Sequence, residues 1–463
     1  MKRLVLTGTA VCAVLALSVS TSGCSKKRSS STATSTSSVT SGSNGSSGSG
    51  SAGSTASGTT GATTSTGTAG TATATTPPPL PPVGFVGGTG IFIDASGRLP
   101  DTSFNDFTVA SGDVNKDGTV DLVFGEYDGT TRVYVNQLNQ SFVELDAAFP
   151  AGMVMKSTDI QLVDMNNDTH LDAVVASNFE PVRVFTNDGT GRFTLQGMYP
   201  AANVSFTYKV AIGDANADGY PDVFLANAGQ NTSARGENLL FLNDATGTLS
   251  PAPAGSLPVQ NDDTIGALFV DLNGDAKDDL FVANFGVPHR VLINDGAGVF
   301  TDESATRLPA GLATTAGTAV AAADFNNDGF VDVFVANEGL PGNGTPPPGE
   351  GNTLLFNDGQ GNFVDMSATL PAQAEATFHV RALDVDGNGF VDLLVSNLRT
   401  VQRLYLNQNG AFTDMTDTNY PAVNQTPSDS LGLVIDDFDG NRTPDVVYAR
   451  RGQKPFLFLN PAK

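Results

Sequence analysis

The chain has 463 residues, among which 48 Asp and Glu stand against 24 Lys and Arg, with only two cysteines. That length allows two or three ordinary domains or one large repetitive domain. The acidic excess argues against nucleic acid as a partner, and against direct contact with an anionic membrane, because like charges repel.

Residues 1–23 are predicted to be a secretory signal peptide. They begin with a short basic segment, continue with an apolar run to about Val19 and end in small residues. An apolar stretch of this kind is too short for a membrane span and is typical of an export signal. The chain is therefore expected to leave the cytoplasm.

The end of this segment predicts a lipid anchor. Ser22 and Gly23 precede Cys24, and this resembles the lipobox of bacterial lipoproteins, in which such a cysteine is acylated and begins the mature chain. Thr21 stands where the lipobox prefers Leu, so ordinary signal cleavage is the alternative. The resemblance implies anchorage to the bacterial cell envelope, at the outer membrane or cell surface. With Cys12 inside the signal and Cys24 acylated, no thiol would remain for disulfides or catalysis.

Residues 24–83 are predicted to be a disordered tether. From Ser29 to Thr76 every residue except Val39 and Asn44 is Ser, Thr, Gly or Ala, and a proline-rich piece follows. Such a composition cannot bury enough apolar surface to fold. This segment would hold the following domain away from a surface.

Residues 84–463 contain one unit repeated seven times, at a spacing of about 50 to 60 residues. Each unit has an apolar strand start that runs to a proline, an acidic loop entered from an apolar strand, and two apolar strands that end in an Asn/Gly turn. Four short strands per unit at this spacing indicate an all-β fold, a seven-bladed β-propeller.

The two ends of the repeat region predict how the ring closes. The last unit stops at Asn460 without the turn and aromatic strand that follow this Asn elsewhere, and the missing piece lies at residues 88–94. The N-terminal strand is therefore expected to complete the last blade, which also removes exposed sheet edges.

The acidic loops share oxygen-bearing side chains at positions 1, 3, 5 and 9. In chain order, loops 1 to 7 carry Asp113, Asn115, Asp117 and Asp121; Asp164, Asn166, Asp168 and Asp172; Asp214, Asn216, Asp218 and Asp222; Asp271, Asn273, Asp275 and Asp279; Asp324, Asn326, Asp328 and Asp332; Asp384, Asp386, Asn388 and Asp392; and Asp437, Asp439, Asn441 and Asp445.

This spacing predicts up to seven structural Ca²⁺ ions. Alternating side-chain oxygens, with a backbone carbonyl at position 7, can wrap a hard cation that accepts six to eight oxygens. Zinc would require His or Cys ligands. An EF-hand would require Glu at position 12, where loop 1 has Phe124. A nonapeptide β-helix would require much closer repeats.

The units resemble the FG-GAP and VCBS repeats of integrin α-chain propellers and of many bacterial surface proteins, over roughly residues 88–460. The resemblance implies a calcium loop between the first and second strands of each blade, on the face opposite the loops that commonly contact ligands. Position 6 is usually Gly in that family, but Thr169, Ala276 and Arg442 stand there in three loops. Those three sites are expected to bind calcium more weakly, with Gly274 and Gly440 at position 4 as compensation.

Function is expected on the other face, where two blades carry insertions at residues 227–237 and 338–350. The three histidines, His170, His289 and His379, fall in three different blades and are interpreted as structural, and no catalytic motif is found. The sequence favours a binding or adhesion module for a protein or glycan partner, with the membrane reached only through the anchor. The alternative is a secreted polysaccharide hydrolase or lyase whose carboxylates converge on that face.

Overall fold

The computed structural model describes residues 85–101, 103–200, 206–229, 236–259, 261–340, 349–372 and 374–463. The predicted signal peptide, the predicted lipidation site at Cys24 and the tether lie outside these residues. In the described part of the chain, 28 strands are joined by turns and five helical segments of three or four residues. No helix there is both long and apolar enough to span a bilayer.

The strands form five four-stranded antiparallel sheets and one eight-stranded sheet. The eight-stranded sheet combines two four-stranded units, so we interpret the topology as seven blades. Blade 1 has β2 (Phe104–Gly112), β3 (Asp121–Glu126), β4 (Arg132–Asn136) and β5 (Phe142–Glu144); blade 2 has β6 (Ser157–Val163), β7 (Asp172–Ser177), β8 (Val182–Asn187) and β9 (Phe193–Tyr199); blade 3 has β10 (Phe206–Gly213), β11 (Asp222–Ala228), β12 (Leu239–Asn243) and β13 (Leu249–Pro251); blade 4 has β14 (Thr264–Val270), β15 (Asp279–Asn284), β16 (Arg290–Asn294) and β17 (Phe300–Asp302).

Blade 5 has β18 (Gly317–Ala323), β19 (Asp332–Asn337), β20 (Thr353–Asn357) and β21 (Phe363–Asp365); blade 6 has β22 (Ala376–Leu383), β23 (Asp392–Leu398), β24 (Arg403–Gln408) and β25 (Ala411–Asp414); blade 7 has β26 (Ser430–Asp436), β27 (Asp445–Gln453), β28 (Phe456–Leu459) and β1 (Ile93–Asp94). The helical segments follow outer strands, at Ser96–Arg98, Ser304–Arg307, Ser367–Thr369, Thr416–Asn419 and Ala422–Gln425.

The hydrophobic core lies between the blades. The second strand of each blade is buried along its whole described length apart from the extended end of β27, as in β3 and β15. Both faces of such a strand are covered by neighbouring sheets, which explains its continuous apolar sequence. One cluster joins Phe281 of blade 4 to Val333, Leu355 and Phe363 of blade 5.

The N-terminal strand completes the last blade, as predicted. β1 pairs with β28 through Ile93 opposite Leu459 and Asp94 opposite Phe458. The inner strands β2, β6, β10, β14, β18, β22 and β26 each pack against the next, and β26 packs against β2. The chain therefore forms a closed ring, a β-propeller.

The chain enters the propeller beside two of the acidic loops. The Val86 N–H donates to the carbonyl of Arg442 in loop 7 at 2.8 Å. Gly87 lies directly against Gly387 in loop 6, where an added Cβ would come within 2.0 Å of the Gly387 Cα. Only glycine permits this approach of two backbones.

Every inner strand contains a β-bulge at the same place, with one extra residue. The seven extra residues are Phe107, Thr158, Tyr208, Ile265, Thr318, Phe378 and Leu431. Bulges re-aim side chains, and all seven line a narrow cavity on the axis of the ring. The Phe107 and Phe378 rings meet edge to face there, with centroids 5.6 Å apart. Together these seven side chains narrow the central channel to a cavity of ≈ 10 Å³.

Candidate functional site

Each acidic loop lies between the first and second strands of its blade. Loop 1 begins at Asp113, directly after β2, and its position 9, Asp121, is the first residue of β3. The same placement recurs in the other six blades, so the seven loops lie at one face of the propeller, which we call the acidic face. The connections from second to third strands emerge at the opposite face.

Backbone amides orient the carboxylates of each loop. In loop 1, Asp113 accepts from the N–H of Asp117 at 3.1 Å and of Gly118 at 2.9 Å, and Asp117 accepts from the N–H of Thr119 at 2.9 Å. Asn115 also accepts from the Asp117 N–H, at 3.0 Å. These bonds fold the loop around its own side-chain oxygens, which are thus held before any ligand arrives.

The carboxylate at position 9 is fully buried in all seven loops. Its two oxygens accept from the N–H of position 2 and of the Asn that ends the third strand, as at Asp332 with Phe325 and Asn357. Burial raises the pKa of this carboxyl, to about 7 at Asp332 and about 8 at Asp445, with neighbouring carboxylates adding to the rise. Buried carboxylates that repel one another make the site favourable for a cation.

The loops contain a donor set that fits calcium. In loop 6, carboxylate oxygens of Asp384, Asp386 and Asp392 lie within 4.8 Å of one another, and in loop 7 those of Asp437, Asp439 and Asp445 do the same. Loops 1 to 5 carry Asn at position 3, which supplies an uncharged oxygen there, and in the described structure their three carboxylates do not come within that distance of one another. A converging set of oxygen donors without nitrogen or sulfur is typical of Ca²⁺ sites.

Position 6 adopts a left-handed backbone in all seven loops, including the three without Gly. The φ angles are 73° at Thr169, 62° at Ala276 and 68° at Arg442, against 87° at Gly118. Position 4 is also left-handed throughout, with Gly274 and Gly440 in two of those three loops. A residue with a Cβ is strained in this region by about 1 to 2 kcal/mol. Loop 2, with Asn167 at position 4 and Thr169 at position 6, is the one loop with a Cβ at both left-handed positions, so the strain argument applies most strongly there.

We expect Ala276→Gly to stabilise the protein by about 0.5 to 1 kcal/mol, because glycine removes the left-handed strain and loses part of the gain to unfolded-chain entropy. Its backbone bond to Asp271 is retained, since it uses only the main-chain N–H. Ala297→Gly is the matched control, because Ala297 is exposed in the same blade and lacks a positive φ. In urea unfolding, Ala297→Gly should lower the stability slightly. Equal effects of the two variants would contradict backbone strain at Ala276.

A ring of seven asparagines ties each acidic loop to the next blade. Each lies within one residue of the end of a third strand and donates from Nδ2 to the carbonyl at position 2 of the preceding loop, at 2.7 to 3.1 Å; the donors are Asn136, Asn187, Asn243, Asn294, Asn357, Asn407 and Asn460. Asn136 of blade 1 reaches Phe438 of loop 7, which closes the ring. From the sequence, these residues were interpreted only as part of an Asn/Gly turn. Their recurrence before every turn was the sequence signal that they have a structural role between blades.

The opposite face carries the two insertions, with one boundary corrected. Asn227 and Ala228 belong to β11, because they pair with Thr207 and Phe206, so the first insertion begins after them. Residues 230–235 and 341–348 lie outside the described residues. At the base of the second insertion, burial raises the pKa of Glu338 to about 7, while the charge of Arg399 acts to lower it.

Carboxylates do converge on this opposite face, and arginines hold them. Arg403 lies between Glu375 and Asp414, with Nε 3.0 Å from Glu375 and Nη1 3.2 Å from Asp414. Arg290 bridges Asp262 and Asp302 in blade 4 in the same way. Carboxylates held in ion pairs are positioned for structure rather than for proton transfer.

Two of the three histidines are buried. His289 accepts from the Asn284 N–H and pairs with Thr315, and burial lowers its pKa to about 4. His170 lies in loop 2 with Nδ1 3.6 Å from Asp168. His379 lies in the central channel, where burial and then the charges of Lys209 and Arg381 hold its pKa well below its usual range.

The channel cluster around His379 was not anticipated from the sequence. Lys209 Nζ lies 2.8 Å from Asp159 Oδ1 and 3.1 Å from His379 Nε2, so three blades meet there. Within the repeats these positions directly follow the bulge, where blades 4, 5 and 7 carry Gly266, Ala319 and Gly432. The only sequence signal for this cluster was a polar residue at a repeat position that is a small residue in those other blades.

Fold and loops together define a β-propeller with one acidic loop per repeat. The model of the FG-GAP-like repeat matches residues 113–175, 164–225, 214–282, 271–335, 342–395 and 384–448. Five of these matches begin on the first Asp of an acidic loop. The chain belongs to the FG-GAP-like repeat family.

Solved structures support the same fold. Two crystal structures of BBS1N in complex with ARL6DN, soaked with lead and with mercury, match this chain with a TM-score of 0.50 in each case. The identities are 11% and 12%; the matches cover 80% and 81% of this chain and 97% and 98% of those chains. A search of curated proteins found no match.

Proposed function

We propose that this protein is an exported, lipid-anchored binding module, stabilised by calcium, that binds a protein or glycan partner on the face opposite the acidic loops. One observation carries the proposal: all seven acidic loops occupy one face in the same structural position, while the connections that differ between blades emerge at the other. A repeated face suits a structural role, and a variable face suits recognition.

Calcium would be structural in this proposal. In each loop the side chains at positions 1, 3, 5 and 9 would hold the ion, which supplies the positive charge that offsets clustered carboxylates. The buried position 9 carboxylate would tie the ion to the start of the second strand. None of these residues lies on the proposed binding face.

The structural neighbours favour a protein partner. BBS1N was crystallised in complex with another protein, ARL6DN. The propeller of that complex has the fold found here, although 11% identity carries no residue-level correspondence. The acidic composition and the proposed export argue against nucleic acid as the partner.

Binding is favoured over catalysis by the state of the opposite face. Four carboxylates that converge there, Glu375, Asp414, Asp262 and Asp302, are held by arginines, while Glu338, whose pKa burial raises to about 7, is the candidate acid left to the hydrolase alternative. A hydrolase or lyase would need one carboxylate free to donate a proton and another free to act as base or nucleophile. The hydrolase alternative would be supported if purified protein cleaved a polysaccharide.

The test uses the chain without residues 1–23 and with Cys24→Ser, in pull-down and glycan-array experiments. Leu340 on the opposite face and Phe330 on the acidic face are each 44% exposed, so Leu340→Ser and Phe330→Ser form a matched pair. We expect a captured partner to lose affinity with Leu340→Ser and to keep it with Phe330→Ser. The reverse pattern would place recognition on the acidic face and overturn the proposal.

A further inference from the structure

A surface cavity of ≈ 240 Å³ lies at the junction of blades 5 and 6. It is lined by Gly351 and Asn352 just before β20, by Tyr405 in β24, and after β21 by Ser367, Ala368, Leu370, Pro371 and Ala372. The second-to-third strand connection and the exit from the outer strand both reach the face opposite the acidic loops, so the cavity opens on the side proposed for recognition. Pockets for drug-sized ligands begin at about 300 Å³, so this cavity suits something smaller.

Tyr405 gives the cavity an unused polar group. The residue is 2% exposed, and among the described residues no group hydrogen-bonds to its hydroxyl. The fully enclosed side-chain atoms without a partner in the described structure are His170 Nδ1, Asn178 Oδ1 and Arg450 Nε. The Tyr405 hydroxyl is not among them, so it reaches solvent through the cavity. A buried polar group with no partner is unfavourable unless a ligand or water satisfies it.

The fold does not require this hydroxyl to be unpaired. Blade 1 has Tyr134 at the equivalent place in its third strand, and there Arg132 Nε donates to the hydroxyl at 3.0 Å. In blade 6 the equivalent Arg403 instead directs Nε to Glu375 and Nη1 to Asp414. All three guanidinium nitrogens thus point to carboxylates, and among the described residues none donates to the Tyr405 hydroxyl.

The remaining groups of the cavity are neutral. Asn352 accepts from the Asn337 N–H at 2.9 Å, which fixes its amide, and no described residue accepts from its Nδ2. Leu370, Pro371 and Ala368 supply apolar surface. The nearby ion cluster has two carboxylates for one arginine, so its net negative charge disfavours an anionic ligand. The cavity thus places a hydroxyl and an amide, both able to hydrogen-bond to hydroxyl groups, beside an apolar surface. This combination suits a neutral sugar ring, which has hydroxyls around its edge and C–H groups on its faces.

We propose that this cavity binds a single neutral hexose unit of a glycan, with the Tyr405 hydroxyl and the Asn352 amide pairing with sugar hydroxyls. This inference rests on the proposed binding function and names the class of ligand for one site. A ring of this size matches the cavity, and every polar group named for it is available in the described structure.

The test titrates methyl glycosides of glucose, galactose, mannose and N-acetylglucosamine, with glucuronate as the charged comparison, by ligand-detected NMR on the chain with Cys24→Ser. At least one neutral glycoside should bind, and glucuronate should bind more weakly. Tyr405→Phe should reduce the affinity about tenfold, which corresponds to one lost hydrogen bond to the sugar. Tyr134→Phe should leave sugar affinity unchanged.

Thermal unfolding shows whether each variant is still folded, so that a loss of sugar binding can be separated from a loss of structure. Tyr405→Phe removes a hydroxyl that no described residue pairs with, so its melting temperature should match or exceed that of the parent. Tyr134→Phe should melt lower, because Arg132 loses an acceptor. No binding by any neutral glycoside, or unchanged binding by a folded Tyr405→Phe protein, would overturn the proposal. Partner capture that depends on Leu340 but not on Tyr405 would retain the binding function while rejecting the sugar site.

Discussion

Removal of calcium by a chelator is expected to lower the melting temperature of the propeller by about 10 °C. A site filled at a free concentration about five times its Kd contributes about 1 kcal/mol, so seven sites would contribute about 7 kcal/mol. A domain of this size shifts by somewhat less than the 2 to 4 °C per kcal/mol of smaller domains. Scanning calorimetry in excess EGTA, followed by added Ca²⁺, measures the effect.

The effect of chelation should also depend on pH. Without a cation, burial raises the pKa of position 9 carboxyls from 3.8 to about 7, as at Asp121 and Asp279. The folded state then binds protons that the unfolded state has released, so the metal-free fold loses stability as pH rises from about 4 to 7. Chelation should therefore lower the melting temperature more at pH 8 than at pH 5.5. Identical curves with and without EGTA at pH 8 would refute calcium binding, and recovery with Mg²⁺ alone would refute selectivity.

Asn294→Ala is expected to destabilise the protein by about 3 to 5 kcal/mol. The buried side chain donates to the carbonyls of Ala215 and Asp278 and accepts from the Gly296 N–H. Truncation leaves three buried or partly buried backbone groups without a partner, each of which costs about 1 to 3 kcal/mol in full burial. Urea unfolding in saturating calcium measures the loss.

Two companion variants define the origin of that loss. Asn294→Asp keeps the shape but cannot donate, so it should be destabilised about as strongly as Asn294→Ala. Asn362→Ala removes an exposed bond to Asp358 and should change stability by less than about 0.5 kcal/mol. If Asn294→Asp were as stable as the parent, the bond to the neighbouring blade would be unimportant.

The sequence predicted those features that repeat at fixed spacing. Seven Asp-x-Asn/Asp-x-Asp/Asn loops marked the repeat, and the short β-rich apolar runs on either side of each loop identified the strands. The partner of β1 was also predictable, since the last unit lacked the strand that residues 88–94 supply. The repeated local pattern therefore predicted the blades, and the strand missing from the last unit predicted how the ring closes.

The features that the sequence did not reveal depend on contacts between distant residues. Asp159, Lys209 and His379 occupy different blades and meet only because the ring closes around them. Within the described part of the chain, the Tyr405 hydroxyl has no partner because Glu375 and Asp414 take up Arg403, and Tyr134 shows that the same residue pair can be arranged otherwise. Which side chains pair with one another cannot be read from a single sequence, because the pairing depends on how the blades pack.

The entry of the chain beside loops 6 and 7 has a mechanical consequence for an anchored protein. The first described residues, Phe85 and Val86, lie at the acidic face, where Val86 bonds to Arg442. With the proposed anchor at Cys24, tension from a partner would pull the acidic face toward the membrane and turn the recognition face outward. That tension would pass through the bond of Val86 to Arg442 and then into the short pairing of β1 with β28, so the strand that closes the ring would also be part of the attachment that resists the pull.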